Sequence, residues 1–263
     1  YKFLTHAALA CLLCGVACGM IGTYVVCRRL VFLSGGITHA SFGGIGMAYY
    51  FGANPLLGAL LFAVLSALGI ETFTARKQIR EDSAIGLLWS LGMAIGIIFI
   101  YLTPGYAPNL MSFLFGNILS VTGTDIFWMG VVDLAILLIF GTMYHPILFV
   151  AFDREYARSQ NFPTRTISYL MVTIVISIRV VGIVLLISLL TIPAVIGNLI
   201  SKSFGRILLY GSVIAALSAF AGLYISYQTN IPSGASTIFV LTVTLIAVKT
   251  ITFVRLKRRM KTR

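Results

Sequence analysis

Apolar runs of about 20 residues recur from one end of this chain to the other, broken by short clusters of basic residues. That alternation leaves few folds open. A run this long crosses the hydrocarbon of a bilayer as a helix, where every backbone N–H and C=O must find its partner within the segment. The runs are too long and too evenly apolar to be barrel strands, which alternate between lipid and lumen. Of 263 residues, 59% are hydrophobic and 10% charged, whereas soluble domains carry about 25% charged residues. The expected fold class is therefore all-α. It is a polytopic transmembrane helical bundle of about eight or nine spans, counting broken or half-helices, in a single transmembrane domain over residues 1–263. A second long run follows the first at once, so the first reads as a span and not as a cleaved signal peptide.

The formal net charge of +12 would suit a nucleic-acid partner, but its placement points to a membrane instead. Seventeen of the 19 basic residues fall in five groups: Arg28–Arg29, Arg76–Arg80, Arg154–Arg165, Lys202–Arg206 and the C-terminal Lys249–Arg263. The other gaps between apolar runs, near Gly52–Pro55, Thr103–Thr124, Ser188–Pro193 and Gln228–Pro232, hold no Lys or Arg. Cytoplasmic loops carry the excess of Lys and Arg, so the basic gaps and the C-terminus are expected inside. The basic tail also suits contact with anionic lipid.

The spans then read His6–Cys27, Val31–Phe51, Leu56–Ala75, Ala84–Leu102 and Ile126–Tyr144. Asn109–Ser120 is apolar but too short to cross, and is expected as an outer-face or re-entrant helix buried by protein. Ile167–Ile200 is too long for one straight span, and Pro193 supplies the expected helix break. A full span to about Leu190 and a half-helix returning by Lys202 are expected there; broken helices of this kind mark translocation paths. Ile207–Tyr227 and Ser233–Val254 complete the set.

One stretch departs from the apolar background: residues 151–163, AFDREYARSQNFP. Asp153 is placed as an N-cap, Arg154–Asn161 is long enough for about two helical turns, and Pro163 stops it. A short polar helix between two spans lies outside the lipid, either as a solvated connection or as a docking element. Asp153, Arg154, Glu155 and Arg158 could make charge-assisted contacts, and Phe152 and Tyr156 could anchor in a cleft.

Within the spans, Cys11, Cys14 and Cys18 share one helical face. They fit either a soft-metal or redox site or, more commonly, small packing residues. His39 is a candidate by cost, because an imidazole in lipid is expensive and both Zn²⁺ and Mn²⁺ accept it. Its bland alternative is a histidine bonded to a backbone carbonyl in a packed bundle. Glu71 lies at a similar depth, and either adds a carboxylate near His39 or pairs with Arg76 or Lys77. Asp133 and Arg179 lie mid-span and are expected to neutralise each other.

Several motifs occur in a telling order. Ser34-Gly35-Gly36-Ile37-Thr38-His39-Ala40-Ser41 comes first, then Asp82-Ser83-Ala84-Ile85-Gly86 and Leu114-Phe115-Gly116-Asn117-Ile118-Leu119. Phe152-Asp153-Arg154-Glu155-Tyr156-Ala157 follows, and then Val181-Gly182 through Thr191-Ile192-Pro193-Ala194. This series resembles the ABC-3 family, the membrane permeases of bacterial zinc, manganese and iron ABC importers, over almost the full chain. The resemblance implies a homodimeric permease of the bacterial inner membrane. A cytoplasmic ATP-binding subunit would bind ATP and dock on residues 151–163, and an extracytoplasmic metal-binding protein would deliver the ion. It implies that His39 lies on the path of a transported Zn or Mn ion, that no cofactor is intrinsic, and that the chain is not itself an enzyme. The chain carries no phosphate-binding loop. The family usually places an Asp four residues before the His, and here that position is Gly35. Glu71 is the reserve for the missing charge, and iron stays open. The competing importer reading is a permease for a metal chelate such as a siderophore or cobalamin, which would need a wide cavity without a ligand cluster. An intramembrane enzyme or a passive channel would leave residues 151–163 unexplained.

Overall fold

The computed structural model describes residues 2–75, 80–104, 116, 118–160, 162 and 182–261. Among the described residues the chain forms ten α-helices and no strand: α1 (Lys2–Cys27), α2 (Val31–Tyr50), α3 (Pro55–Ala75), α4 (Glu81–Leu102), α5 (Gly123–Thr142), α6 (Tyr144–Phe152), α7 (Arg154–Ser159), α8 (Ile183–Ile200), α9 (Phe204–Thr229) and α10 (Ser233–Lys261). Five of these are long and apolar enough to cross a membrane, within α1, α4, α5, α9 and α10. Leu57–Ile70 and Val184–Ile200 are shorter apolar stretches. α2 has the length of a span, but Ser, Thr and five Gly residues dilute its apolar character.

The turns are written in the sequence. Arg29 (φ 58°), Gly52 (φ 66°) and Asn230 (φ 56°) take the left-handed conformation and reverse the chain after α1, α2 and α9. Each lies beside a tight backbone bond: Leu30 N–H to Val25 O at 2.9 Å, Ala53 N–H to Ala48 O at 2.8 Å, and Asn230 N–H to Ser226 O at 2.9 Å. α5 opens with a capping box, in which Asp125 N–H donates to Thr122 Oγ1 (3.3 Å) and Thr122 N–H to Asp125 Oδ2 (3.1 Å). Hydroxyls along the spans bond their own helix, as Thr38 does to Ser34 O (2.7 Å) and Thr191 to Ile187 O (2.8 Å). A helix can therefore carry Ser and Thr into lipid without unsatisfied groups.

Two groups of helices pack around separate seams. α2 is enclosed by α3 and α4, while α1 packs on α8 and α9, with α10 and α5 alongside. α8 touches both groups, through α1 and through α2. Small residues let the backbones close together. A Cβ on Gly15 or Gly19 would strike Ala216 or Ser212 of α9, and one on Gly44 would strike Gly58 of α3. These contacts are close packing between helices in a medium that gives no hydrophobic drive between them.

The expected break at Pro193 is not observed. α8 runs unbroken from Ile183 to Ile200 with Pro193 inside it. A single proline removes one backbone bond, and a membrane helix held by neighbours on both sides absorbs that loss. α8 instead starts at Ile183, after Gly182, whose φ of 79° and ψ of 154° belong to a region that only glycine enters readily. The span expected up to Leu190 coincides with α8 only from Ile183. Its first part, from Ile167, lies outside the described residues. So does most of the expected Asn109–Ser120 helix, whose last residues, Ile118–Ser120, form a single 3₁₀ turn. The fifth span also continues further than expected. After a break at Met143 (φ −113°), α6 carries the chain on to Phe152. Pro146 sits in the first turn of α6, where its missing N–H is no loss.

Candidate functional site

α2 is built to be approached. Cβ positions on Gly36 and Gly46 would strike Ile85 and Gly96 of α4, and one on Gly43 would stand 2.9 Å from Gly92 O. The contacts 36 to 85, 43 to 92 and 46 to 96 run in the same direction, so α2 and α4 lie parallel, backbone against backbone. That seam carries His39 onto Trp89 of α4. The two rings are stacked, with centroids 4.3 Å apart and planes at 7°. Ser34, Thr38 and Ser41, which flank His39 on α2, direct their hydroxyls to the helix's own carbonyls. His39 Nδ1 is buried and has no hydrogen-bond partner. The backbone-bonded histidine considered from the sequence is therefore not what the structure shows at Nδ1.

Trp89 also lines a pocket of about 500 Å³ with Val26, Arg29, Val31, Phe32, Gly35 and Ile187. Its walls are aromatic and aliphatic, and Phe32 lies against Trp89 at 6.1 Å. Gly35 lies one turn before His39, and a Cβ there would meet only Ile187 Cδ1, at an ordinary 3.5 Å. The position can accept a side chain that this sequence does not supply. Among the described residues, no three His, Cys, Asp or Glu side chains stand close enough to hold a metal ion. The backbone of Glu71 lies in α3, but its side chain is outside the described residues. The geometry thus offers an imidazole braced by an indole, and no closed cage.

The remaining polar residues divide. Cys11, Cys14 and Cys18 are free and buried in the core, with Cys14 Sγ 3.7 Å from Cys18 Sγ, as packing residues would be. Asp133 is 5% exposed and its Oδ2 has no hydrogen-bond partner. Arg179, its expected partner, is outside the described residues.

The polar stretch after α6 folds as its sequence suggests. Asp153 ends α6 and starts α7: its N–H donates to Phe149 O (2.8 Å), and its Oδ1 accepts from Glu155 N–H (3.1 Å) and Tyr156 N–H (2.9 Å). Ala157 buries the inner face of α7, and Phe162 N–H closes the turn on Ala157 O at 3.0 Å. Glu155, Phe152 and Tyr156 remain exposed. The side chains of Arg154 and Arg158 are outside the described residues. The aromatic support comes from Phe149, which meets Tyr156 at 5.4 Å and stacks on Phe162 at 5.8 Å, and from Phe204 of α9. None of Phe149, Phe204 and Trp89 stood out in the sequence, because an aromatic residue in an apolar run carries no local signal of what it touches.

Ten helices among the described residues, two small-residue seams and an exposed polar corner define an all-helical, multi-pass membrane permease. The chain belongs to the ABC 3 transport family, whose description matches residues 1–252. Among its curated relatives, an uncharacterized membrane protein, slr2045 of Synechocystis, is 38% identical over 245 residues, covering 91% of this chain and 87% of the relative. The manganese transport system membrane protein MntC of Halalkalibacterium halodurans is 33% identical over 245 residues, covering 91% and 84%. Among solved structures, PsaBC from Streptococcus pneumoniae in complex with Fab matches with a TM-score of 0.84 at 28% identity, covering 94% of this chain and 91% of the other. An inward-facing transporter described as of metal-chelate type shares the fold at a TM-score of 0.72 and 16% identity, covering 94% and 85%.

Proposed function

We propose that this chain is the membrane-spanning permease of an ATP-driven importer that carries a divalent transition metal ion, manganese or zinc, into the cytoplasm by alternating access. The observation that carries the reading is His39: an imidazole within a span, with an unbonded nitrogen, on a seam too tight to be accidental. Relatives named for manganese transport support the cargo class. The chain supplies the path and not the hydrolysis. A cytoplasmic ATP-binding subunit docks on α7 and its flanks, through Phe152, Asp153, Arg154, Glu155, Tyr156 and Arg158. An extracytoplasmic protein delivers the ion to the opposite face. A second copy of the chain completes the path, so that two His39 imidazoles share the ion. An open pair binds weakly enough to release it, which conduction requires. The polar corner and the basic C-terminus face the cytoplasm of a bacterial inner membrane.

A second reading has its own observation. The pocket beside Trp89 is about 500 Å³, aromatic-walled and has no carboxylate among its lining residues, which suits a metal chelate better than a bare ion. Radiometal uptake separates the two. Cells expressing the importer should accumulate free ⁵⁴Mn²⁺ or ⁶⁵Zn²⁺, and His39→Ala should abolish that uptake while the complex still assembles. Uptake that requires a chelator and ignores His39→Ala would establish the chelate reading instead.

A further inference from the structure

We propose that Trp89 is the positioning residue of the metal path, setting the orientation of the His39 ring that a hydrogen bond sets in most metal-binding histidines. The proposal rests on the reading of His39 as a metal ligand. A ligating imidazole ordinarily donates its second N–H to a carboxylate, a carbonyl or water, and that bond fixes both tautomer and ring plane. His39 lacks it: Nδ1 is buried without a hydrogen-bond partner. Its polar neighbours on α2 do not supply one: the hydroxyls of Ser34, Thr38 and Ser41 donate to the Val31, Ser34 and Thr38 carbonyls and none of them bonds Nδ1. What holds the ring is the face of Trp89, parallel to it within 7° at 4.3 Å between centroids.

The indole is itself held. Phe32 lies against it at 6.1 Å, and the seam three residues on, where Gly92 meets Ala40 and Gly43, fixes the register of α4 on α2. Rotation of the imidazole out of plane would lose the stacked contact without gaining a hydrogen bond. With Nδ1 turned into protein, the other nitrogen, Nε2, is the one left for an ion. A stack constrains direction but, unlike a carboxylate on Nδ1–H, adds little to the basicity of the ring. The ligand is therefore aimed without being strengthened, which suits an ion that must leave again. Stacking of aromatic faces at this separation is a recognised stabilising geometry.

The chain has only two tryptophans, Trp89 and Trp128, and Trp128 is exposed on α5. In a Trp128→Phe background the permease is a single-tryptophan reporter of this site. Mn²⁺ or Co²⁺ bound at His39 should quench Trp89 emission at contact range, and His39→Ala should remove the saturable quenching. In the assembled importer, Trp89→Leu keeps apolar bulk but no ring face, and should raise the apparent KM for metal about tenfold, in the range for loss of an orienting partner. Trp89→Phe, which keeps a smaller face, should restore most of that loss and guards against a folding defect in Trp89→Leu. The proposal is overturned if Trp89→Leu and Trp89→Phe both transport with the wild-type KM while His39→Ala is inactive. It is also overturned if quenching in the reporter survives His39→Ala unchanged. Wild-type uptake in His39→Ala would instead overturn the metal-path reading on which it rests.

Discussion

Phe152, the last residue of α6, sets its ring edge-on to Phe204, the first residue of α9, with centroids 6.1 Å apart and planes at 74°. Phe204 is buried and also meets Tyr144, whereas Phe152 is 66% exposed. The contact joins the polar corner to a helix that packs along α1, so a push on the corner has a route into the bundle. Phe152→Ala should leave the permease folded, because so much of the ring is outside the core. It should lower metal transported per ATP about 5–30-fold, equivalent to losing one or two kcal/mol of contact. Parallel measurement of ATPase rate and radiometal uptake in proteoliposomes checks it; an unchanged ratio would remove Phe152 from the route.

α7 depends on Asp153 for its first turn and exposes Glu155 beyond it. Asp153→Ala should cost α7 about 1 kcal/mol of local stability, as the loss of an N-cap does. Glu155→Ala combined with Arg158→Ala should leave α7 formed and remove its charges. Both changes should lower the yield of ATP-binding subunit recovered with the tagged permease. Undiminished recovery from the double variant, with normal uptake, would show that α7 is a solvated connection.

Two ends of the bundle can be told apart. The Phe152–Phe204 contact gathers the polar corner and the α8–α9 turn at one end, while the Ile118 N–H to Ser233 Oγ bond (3.2 Å) marks the other. In a Cys27→Ser background, Ser159→Cys should react with an impermeant maleimide only after the membrane is opened. Ala53→Cys, in the exposed turn after α2, should react in intact spheroplasts. The reverse pattern would invert the orientation.

The glycine seam supports a stability test. Gly44→Ala places a methyl against Gly58 of α3, and should lower stability by about 1–3 kcal/mol, as overpacking does. Gly86 and Gly130 have nothing within 4 Å of an added Cβ, so Gly86→Ala and Gly130→Ala should be neutral or slightly stabilising. Thermal unfolding of the detergent-solubilised protein distinguishes them. Equal midpoints for all three would mean that α2 and α3 are free to separate.

Gly35 allows the path to be altered rather than destroyed. A Cβ at Gly35 meets only Ile187, and Gly35→Asp stands one helical turn from His39. Carboxylate suits Mn²⁺ and imidazole suits Zn²⁺, so the variant should lower the KM for Mn²⁺ more than that for Zn²⁺, and should slow turnover by holding the ion longer. Uptake competition between the two ions measures the shift. An unchanged preference would place Gly35 away from the ion.

The helices were legible because lipid imposes a simple rule: long apolar runs must be helical, and basic residues collect at one side. Asp153 was legible as a cap because its chemistry is local. The break was misplaced at Pro193 because proline advertises a lost bond that a packed helix tolerates, while the start of α8 after Gly182 needs only a backbone angle that leaves no mark on hydropathy. His39 could be found as a costly group, but Trp89 could not, since its role depends on a parallel neighbour some 50 residues away in the chain. The Pro193 and Trp89 cases share a cause: tertiary contacts, not residue type, decided them.

The parallel α2–α4 seam bears on how this protein can move. Where Gly43 and Gly46 lie on Gly92 and Gly96, main chains touch and no side chains leave gaps between them. Such a joint has no room for a file of water molecules, and it cannot loosen by small side-chain rotations. It either stays shut or parts as a whole, since close-packed interfaces switch between arrangements and do not deform by degrees. A pair joined this way moves as one rigid body, so any motion of the bundle falls on its looser borders and not on the α2–α4 line.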